Sequence, residues 1–294
     1  MISTVVRNFT VYDWYQLVRP RLSLMVALSA LSGYMAAPAQ HTIAPAVSLF
    51  VGVFLLTATA SILNQVQERE RDRLLPRTRL RPLATGRMEP HLALLLAGIH
   101  LLISLQLIAS VSATSAGIGM LALLWYNLVY TPLKTRTSLV LLLGALGGAL
   151  PPLLGWTASG ASPYEPRAVH LYMVLVLWQV PHFWCLAMKD GLFDRALDLK
   201  IIPAGWRVDQ LKRLIRLWCL ALGALLLVAL PLGLITSYVT ISCIAGLAVW
   251  CSFFVAGRQP HLNIENWSAK TGLRLHIVLS ATLLLITLDT YLPF

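Results

Sequence analysis

Nine long apolar runs, separated by short polar stretches, organise this chain. Windows of about 20 apolar residues place membrane-spanning helices at 22–37, 43–63, 91–111, 114–130, 139–156, 170–188, 214–235, 238–256 and 273–292. The longest polar connections cover 64–90, 189–213 and 257–272, and no soluble domain interrupts the spans. The pattern predicts an all-α, polytopic membrane protein whose residues 1–294 form a single transmembrane domain. Small residues recur inside the spans, at Ser29, Ser32 and Gly33 and again at Gly144, Gly147, Gly148 and Gly155, as close helix packing requires. Pro151, Pro152 and Pro181 interrupt helical hydrogen bonding within spans 5 and 6. Lipid tolerates such breaks only where the backbone is covered by protein or lines a cavity, so a central cavity beside those spans is expected.

Composition agrees with the pattern: 57% of the 294 residues are hydrophobic and 12% are charged. The formal net charge of +11 points to nucleic acid only until its placement is considered. With nine spans, 22 of the 23 Lys and Arg fall on one side or at its span ends, and Arg167 alone falls opposite. That asymmetry is the positive-inside pattern; it puts the N-terminus and the acidic loops in the cytoplasm and leaves no reason to invoke a nucleic-acid partner. The four cysteines, Cys185, Cys219, Cys243 and Cys251, lie within spans without C-x-x-C spacing and read as buried small apolar residues. Arg7, Asp13 and Arg19 before the first span leave no apolar core for a cleavable signal.

Acids are distributed less simply. Glu68, Glu70, Asp72, Glu89, Asp190, Asp194, Asp198 and Asp209 gather in two loops of the basic side, which topology alone does not require. Asn64, Glu68 and Asp72 stand at i, i+4 and i+8, a spacing that on a helix stacks three oxygen-bearing side chains along one face. Seven arginines crowd the 24 residues from Asn64 to Arg87. Oxygen ladders hold hard cations, and Mg²⁺ is commonly held by one or two carboxylates plus substrate phosphates, for which arginines supply the clamp. A second ladder follows span 6 at Lys189, Asp190, Asp194 and Asp198, and a basic loop with Lys134 and Arg136 lies between the two. Either ladder alone is also what a solvated, salt-bridged helix looks like. Two on one membrane face suit a diphosphate flanked by two Mg²⁺ ions, its allylic C–O bond breaking beside a dry cavity: the chemistry of prenyl transfer. Trp178, Gln179, Pro181 and His182 sit together inside span 6, where polar side chains are costly and are expected to face the cavity.

These residues resemble the UbiA superfamily of intramembrane prenyltransferases, most closely its protoheme IX farnesyltransferase branch. The likeness runs over nearly the whole chain, through Arg19-Pro20-Arg21, Asn64 to Asp72 with Pro76 to Leu83 and Gly86-Arg87, Tyr130 to Lys134 with Arg136-Thr137, Gly148 to Trp156, and Trp178-Gln179-Val180-Pro181-His182-Phe183. It implies nine helices around a central cavity in the lipid bilayer of a bacterial inner membrane. It further implies two Mg²⁺ ions and farnesyl diphosphate at the cytoplasmic mouth, heme B as acceptor, and heme A synthase or oxidase assembly proteins as partners. By position, Asn64, Glu68, Asp72, Asp190 and Asp194 become metal ligands and catalytic residues, Arg69, Lys134, Arg136 and Lys189 diphosphate contacts, and Trp178, Gln179 and His182 heme contacts. The chain departs from the family pattern at Glu68, where Asp is usual, and at Phe193-Asp194, where the acid and tyrosine pair is one place out of register. A quinone-precursor or other lipid acceptor, and a non-catalytic heme carrier, stand as alternatives.

Overall fold

The computed structural model describes residues 10–76, 78–189, 206–255 and 264–291, the side chains of Lys189, Phe254 and Val255 excepted. Every regular element among them is helical. The chain opens with α1 (Val11–Val18), turns at Arg19, and continues as α2 (Pro20–Ala36) and α3 (Ile43–Gln67). Two short helices, α4 (Arg69–Leu74) and α5 (Pro82–Thr85), carry the first acidic segment. Next come α6 (Pro90–Ala109), α7 (Ala113–Leu133), α8 (Val140–Ala158) and α9 (Pro166–Lys189). Beyond them lie α10 (Val208–Val228), α11 (Tyr238–Trp250) and α12 (Ile264–Asp289).

Among the described residues six helices, α3, α6, α7, α8, α9 and α12, are long and apolar enough to cross a membrane. Helices also occupy the other three expected positions, but α2 has 17 residues, α11 has 13, and α10 carries Asp209, Lys212, Arg213 and Arg216 over its first turns. Length and apolarity therefore support six of the nine expected spans. Leu95, Leu102, Leu121, Phe253, Leu273 and Leu284 are more than half exposed, which suits a lipid-facing exterior.

Two apolar cores lie inside. One joins α2, α3, α6, α7 and the second half of α8 through residues such as Leu49, Leu56, Ile108 and Leu154; the other joins the first half of α8 to α9–α12 through Leu175, Ile215, Leu222 and Leu275. Helix α8 serves both because it bends at Ala149, ahead of Pro151 and Pro152. Its second half lies so close to α2 that a Cβ on Gly155 would strike the Ala30 carbonyl and one on Gly33 would strike the Pro152 carbonyl. The proline break is thus covered by protein at a glycine contact. Gly144, Gly147 and Gly148 have another use: they admit the side chains of Tyr130, Trp125 and Gln179. Cys185, Cys219 and Cys251 are buried as expected, whereas Cys243 is exposed, because it lies on the outward face of α11.

Candidate functional site

The expected oxygen ladder does not run along one unbroken helix. Helix α3 ends at Gln67, Glu68 takes φ −103° and ψ 7°, and α4 starts afresh at Arg69. The backbone N–H groups of Glu68 and Asp72 still donate to the Asn64 and Glu68 carbonyls at 3.0 and 2.8 Å, but the three side chains take different partners. Asn64, buried near the end of α3, donates from its amide to Thr131 Oγ1 at 3.1 Å and leaves its carbonyl oxygen uncommitted among the described residues. Glu68 Oε2 accepts from Lys134 Nζ at 2.5 Å, and its other oxygen stands 3.6 Å from Arg71. Asp72 is 3% exposed and accepts from Arg81 at 2.7 Å, in a corner closed by Thr78, whose hydroxyl donates to the Asp72 carbonyl.

Glu68 is the member of the ladder that meets open space. Gln67, Glu68, Arg71, Thr131, Pro132 and Thr135 line a cavity of about 320 Å³ where α3 and α4 meet the end of α7. Burial of the ammonium lowers the Lys134 pKa, and the Glu68 carboxylate beside it works against that shift. Helix α7 reaches this point through a π turn at Trp125–Tyr130, followed by Pro132, which has no N–H to give back along the helix. The wider turn stacks Tyr126 on Tyr130, with centroids 5.5 Å apart, and places Thr131 where it bridges Asn64 and the Tyr126 carbonyl.

Not every residue singled out in the sequence arrives here. Arg69 pairs with Glu70 at 3.1 Å on the exposed side of α4, and Arg71 occupies the place beside Glu68 that Arg69 was expected to fill. Arg136 is exposed, with no ion pair among the described residues. Asp190 and Asp194 lie outside the described residues, as does the Lys189 side chain. Among the described residues, no three His, Cys, Asp or Glu side chains converge as a metal cluster. The oxygen-bearing side chains that line the cavity, Glu68 and Gln67, offer hard ligands of the kind Mg²⁺ takes, and Asn64 stands one helical turn before them. Gln67 and Arg71 were missed by sequence reasoning, although they stand at i+3 and i+7 from Asn64, a spacing that puts them on the face of the ladder.

A second polar constellation lies on α9. Trp178 stacks on His182 at 4.6 Å and 10°, and its indole N–H donates to the Leu275 carbonyl of α12 at 2.7 Å. Gln179 presses against Gly148 of α8. Gln179 Oε1 and His182 Nδ1 are buried without a hydrogen-bond partner among the described residues. Orphaned polar atoms at membrane depth are rare, since no water is at hand to satisfy them.

Residues 24–286 match the model of the UbiA prenyltransferase family. A protoheme IX farnesyltransferase of Geobacter sulfurreducens is 40% identical over 221 residues, 74% of this chain and 80% of the relative. One from an Anaeromyxobacter species is 32% identical over 281 residues, 92% of this chain and 93% of the relative. Among solved structures, digeranylgeranylglyceryl phosphate synthase superposes with a TM-score of 0.77 at 16% identity, covering 95% of this chain and 98% of that one. A UbiA homolog from Archaeoglobus fulgidus bound to DMAPP and Mg²⁺ superposes with a TM-score of 0.67 at 17% identity, covering 93% and 99%.

Proposed function

The chain belongs to the UbiA prenyltransferase family, and from that premise we propose that it transfers the farnesyl group of farnesyl diphosphate to a vinyl group of heme B, giving heme O for terminal-oxidase maturation. It is an integral-membrane prenyltransferase. The observation that carries the donor half of the reading is the cavity at the α3–α4 junction, where one carboxylate, Glu68, is held between two cations, Lys134 and Arg71. With one carboxylate against two cations, such a site is net positive while empty and suits an anion. A diphosphate arriving with a divalent ion lets every charge exchange partners: Glu68 passes to the metal, and Lys134 and Arg71 pass to phosphate oxygens.

Bonds balance as follows. The C1–O bond of farnesyl diphosphate breaks and diphosphate leaves with the electron pair. The farnesyl carbon bonds one vinyl carbon, and water supplies a hydroxyl to the other with loss of a proton. When bound, Mg²⁺ would stabilise the departing diphosphate charge. Glu68 would hold it at the cavity, with Asn64 one helical turn earlier; Asp72 would join them on release from Arg81, and Asp190 and Asp194 would complete the set. Lys134, Arg136, Arg71 and Lys189 would hold the phosphates, with Arg69 steering from outside. Trp178, Gln179 and His182 would meet the acceptor at the depth of the spans. The basic loops put the diphosphate end on the cytoplasmic side of a bacterial inner membrane.

The test is direct. Purified protein given heme B, farnesyl diphosphate and Mg²⁺ should yield heme O by mass spectrometry, with a known active relative as control. Unchanged heme B beside an active control would overturn the acceptor assignment.

A further inference from the structure

The α9 constellation has a third ring that no motif announced. By donating to the Leu275 carbonyl, Trp178 pins α12 against α9, and the next residue of α12 is His276. Its imidazole meets His182 edge-on, with centroids 4.6 Å apart at 71°, and lies 5.4 Å from Trp178 at 60°. Both rings stand near the middle of their helices, His276 two residues after Arg274. The two imidazoles differ in access. His182 has Trp178 stacked on it and its Nδ1 buried without a partner among the described residues, whereas His276 is exposed.

A pair of imidazoles within the apolar helices needs a reason, because His182 Nδ1 finds no partner among the described residues and lipid offers it nothing. Imidazole nitrogen is an axial ligand for iron in a tetrapyrrole. Two rings on opposite faces of one iron, at metal–nitrogen bonds of about 2.0–2.1 Å, would stand with centroids roughly 6 Å apart and nitrogens facing each other. The observed 4.6 Å separation is too short for that sandwich. One ring can bind iron and the other can only back it. Resting on the heme reading given above, we propose that His276 is the axial ligand to the iron of the acceptor tetrapyrrole, and that His182, held flat against Trp178, is a positioning residue that fixes the His276 ring. The iron then carries one protein imidazole and keeps its other face open, and the macrocycle is anchored at its centre while its vinyl edge stays free to react.

The purified full-length protein loaded with ferric heme B gives the test, read by visible absorption and electron paramagnetic resonance. Wild type should show a single-imidazole complex. His276→Ala should lose that signature and raise the KM for heme at least tenfold, leaving the KM for farnesyl diphosphate within twofold; added free imidazole should restore the signature. His276→Gln, which keeps bulk but is no iron ligand, should behave as His276→Ala does and serves in its place if the alanine variant fails to fold. His182→Ala should keep an imidazole-ligated iron with a shifted spectrum. A His276→Gln protein with the wild-type spectrum and heme KM would overturn the assignment, as would loss of the imidazole signature in His182→Ala alone. Wild-type protein that takes up no heme would overturn the acceptor reading itself, and this inference with it.

Discussion

The two ends of the helix bundle both carry buried carboxylates, and they use them in opposite ways. At the far end of α12, Asp289 is 4% exposed and fully engaged: it accepts from Arg167 at 2.7 Å and from the backbone N–H groups of Thr236 and Ser237 at 3.1 and 2.9 Å. Those partners come from the start of α9 and from the turn before α11, so one carboxylate ties three segments together. Arg167, the lone basic residue on its side in the sequence threading, is therefore explained by a structural tie, and its guanidinium also donates to the Leu234 carbonyl. Asp289 and Arg167 also border a cavity, of about 740 Å³, so open volume does not separate the two ends; at the α3–α4 end, however, Glu68 has two cationic partners, one of them at 3.6 Å, and no backbone donor to its carboxylate among the described residues. A saturated carboxylate is architecture; an unsaturated one with spare cations is a site waiting for a ligand.

The largest expected effect tests the saturated end. Asp289→Ala strands the Arg167 guanidinium and two backbone donors and should destabilise the fold by about 3–5 kcal/mol, the usual cost of removing one partner from a buried pair. Thermal unfolding in detergent measures it. The same substitution at Glu68 should move the unfolding midpoint little, since Lys134 and Arg71 are partly exposed and can turn to water. Equal destabilisation at both sites would break the contrast.

Next in size is the reciprocal experiment on activity. Glu68→Gln keeps the side-chain volume but removes the charge that must exchange Lys134 for a metal, and it should lower kcat by about 10²–10³, the scale seen when one electrostatic contact to a developing charge is lost. Prenyl transfer assayed at saturating Mg²⁺ gives the number. Arg69→Ala should cost far less than Arg71→Ala, because only Arg71 lines the cavity. That pair of variants also marks the boundary of what the sequence discloses. Apolar periodicity sufficed for the all-helical membrane class, and the small residues in the spans for close helix packing, though not for which helices meet at Gly33 and Gly155. Spacing alone did not reveal that the helix stops at Gln67. The i→i−4 backbone bonds from Glu68 to Asn64 and from Asp72 to Glu68 persist across the bend, so helical spacing still sets Gln67 and Arg71 beside the ladder at i+3 and i+7 and turns Arg69 away at i+5; what spacing could not disclose is that Asp72 is engaged by Arg81 and Glu68 by Lys134. His276 was invisible for another reason, since its meaning depends on a partner 94 residues earlier in the chain.

The smallest effect shows that saturation, and not location, separates the two uses of charge. Asp13 of α1 is tied to Arg87, between α5 and α6 at the acid-bearing end, yet it resembles Asp289: it is 2% exposed and accepts from Arg87 through two nitrogens at 2.7 and 3.0 Å and from the backbone and hydroxyl of Thr10 at 2.9 Å. Burial alone would raise its pKa; hydrogen bonds from Arg87 and Thr10, with the Arg87 charge, outweigh that and leave it lowered. A carboxyl with a depressed folded-state pKa contributes stability that is fully present above its unfolded value of about 3.9 and is lost as pH falls through the folded value. Asp13→Asn should therefore loosen α1 by about 1–3 kcal/mol at neutral pH, as expected for hydrogen bonds to a charged group, while leaving prenyl transfer nearly intact. Amide hydrogen exchange over α1 should show the wild type better protected at pH 7, the gap holding down to about pH 4 and closing below it. A gap that stayed constant into strong acid would mean that α1 is held by its buried Leu17 and Val18 against α3 and α6, with the ion pair idle.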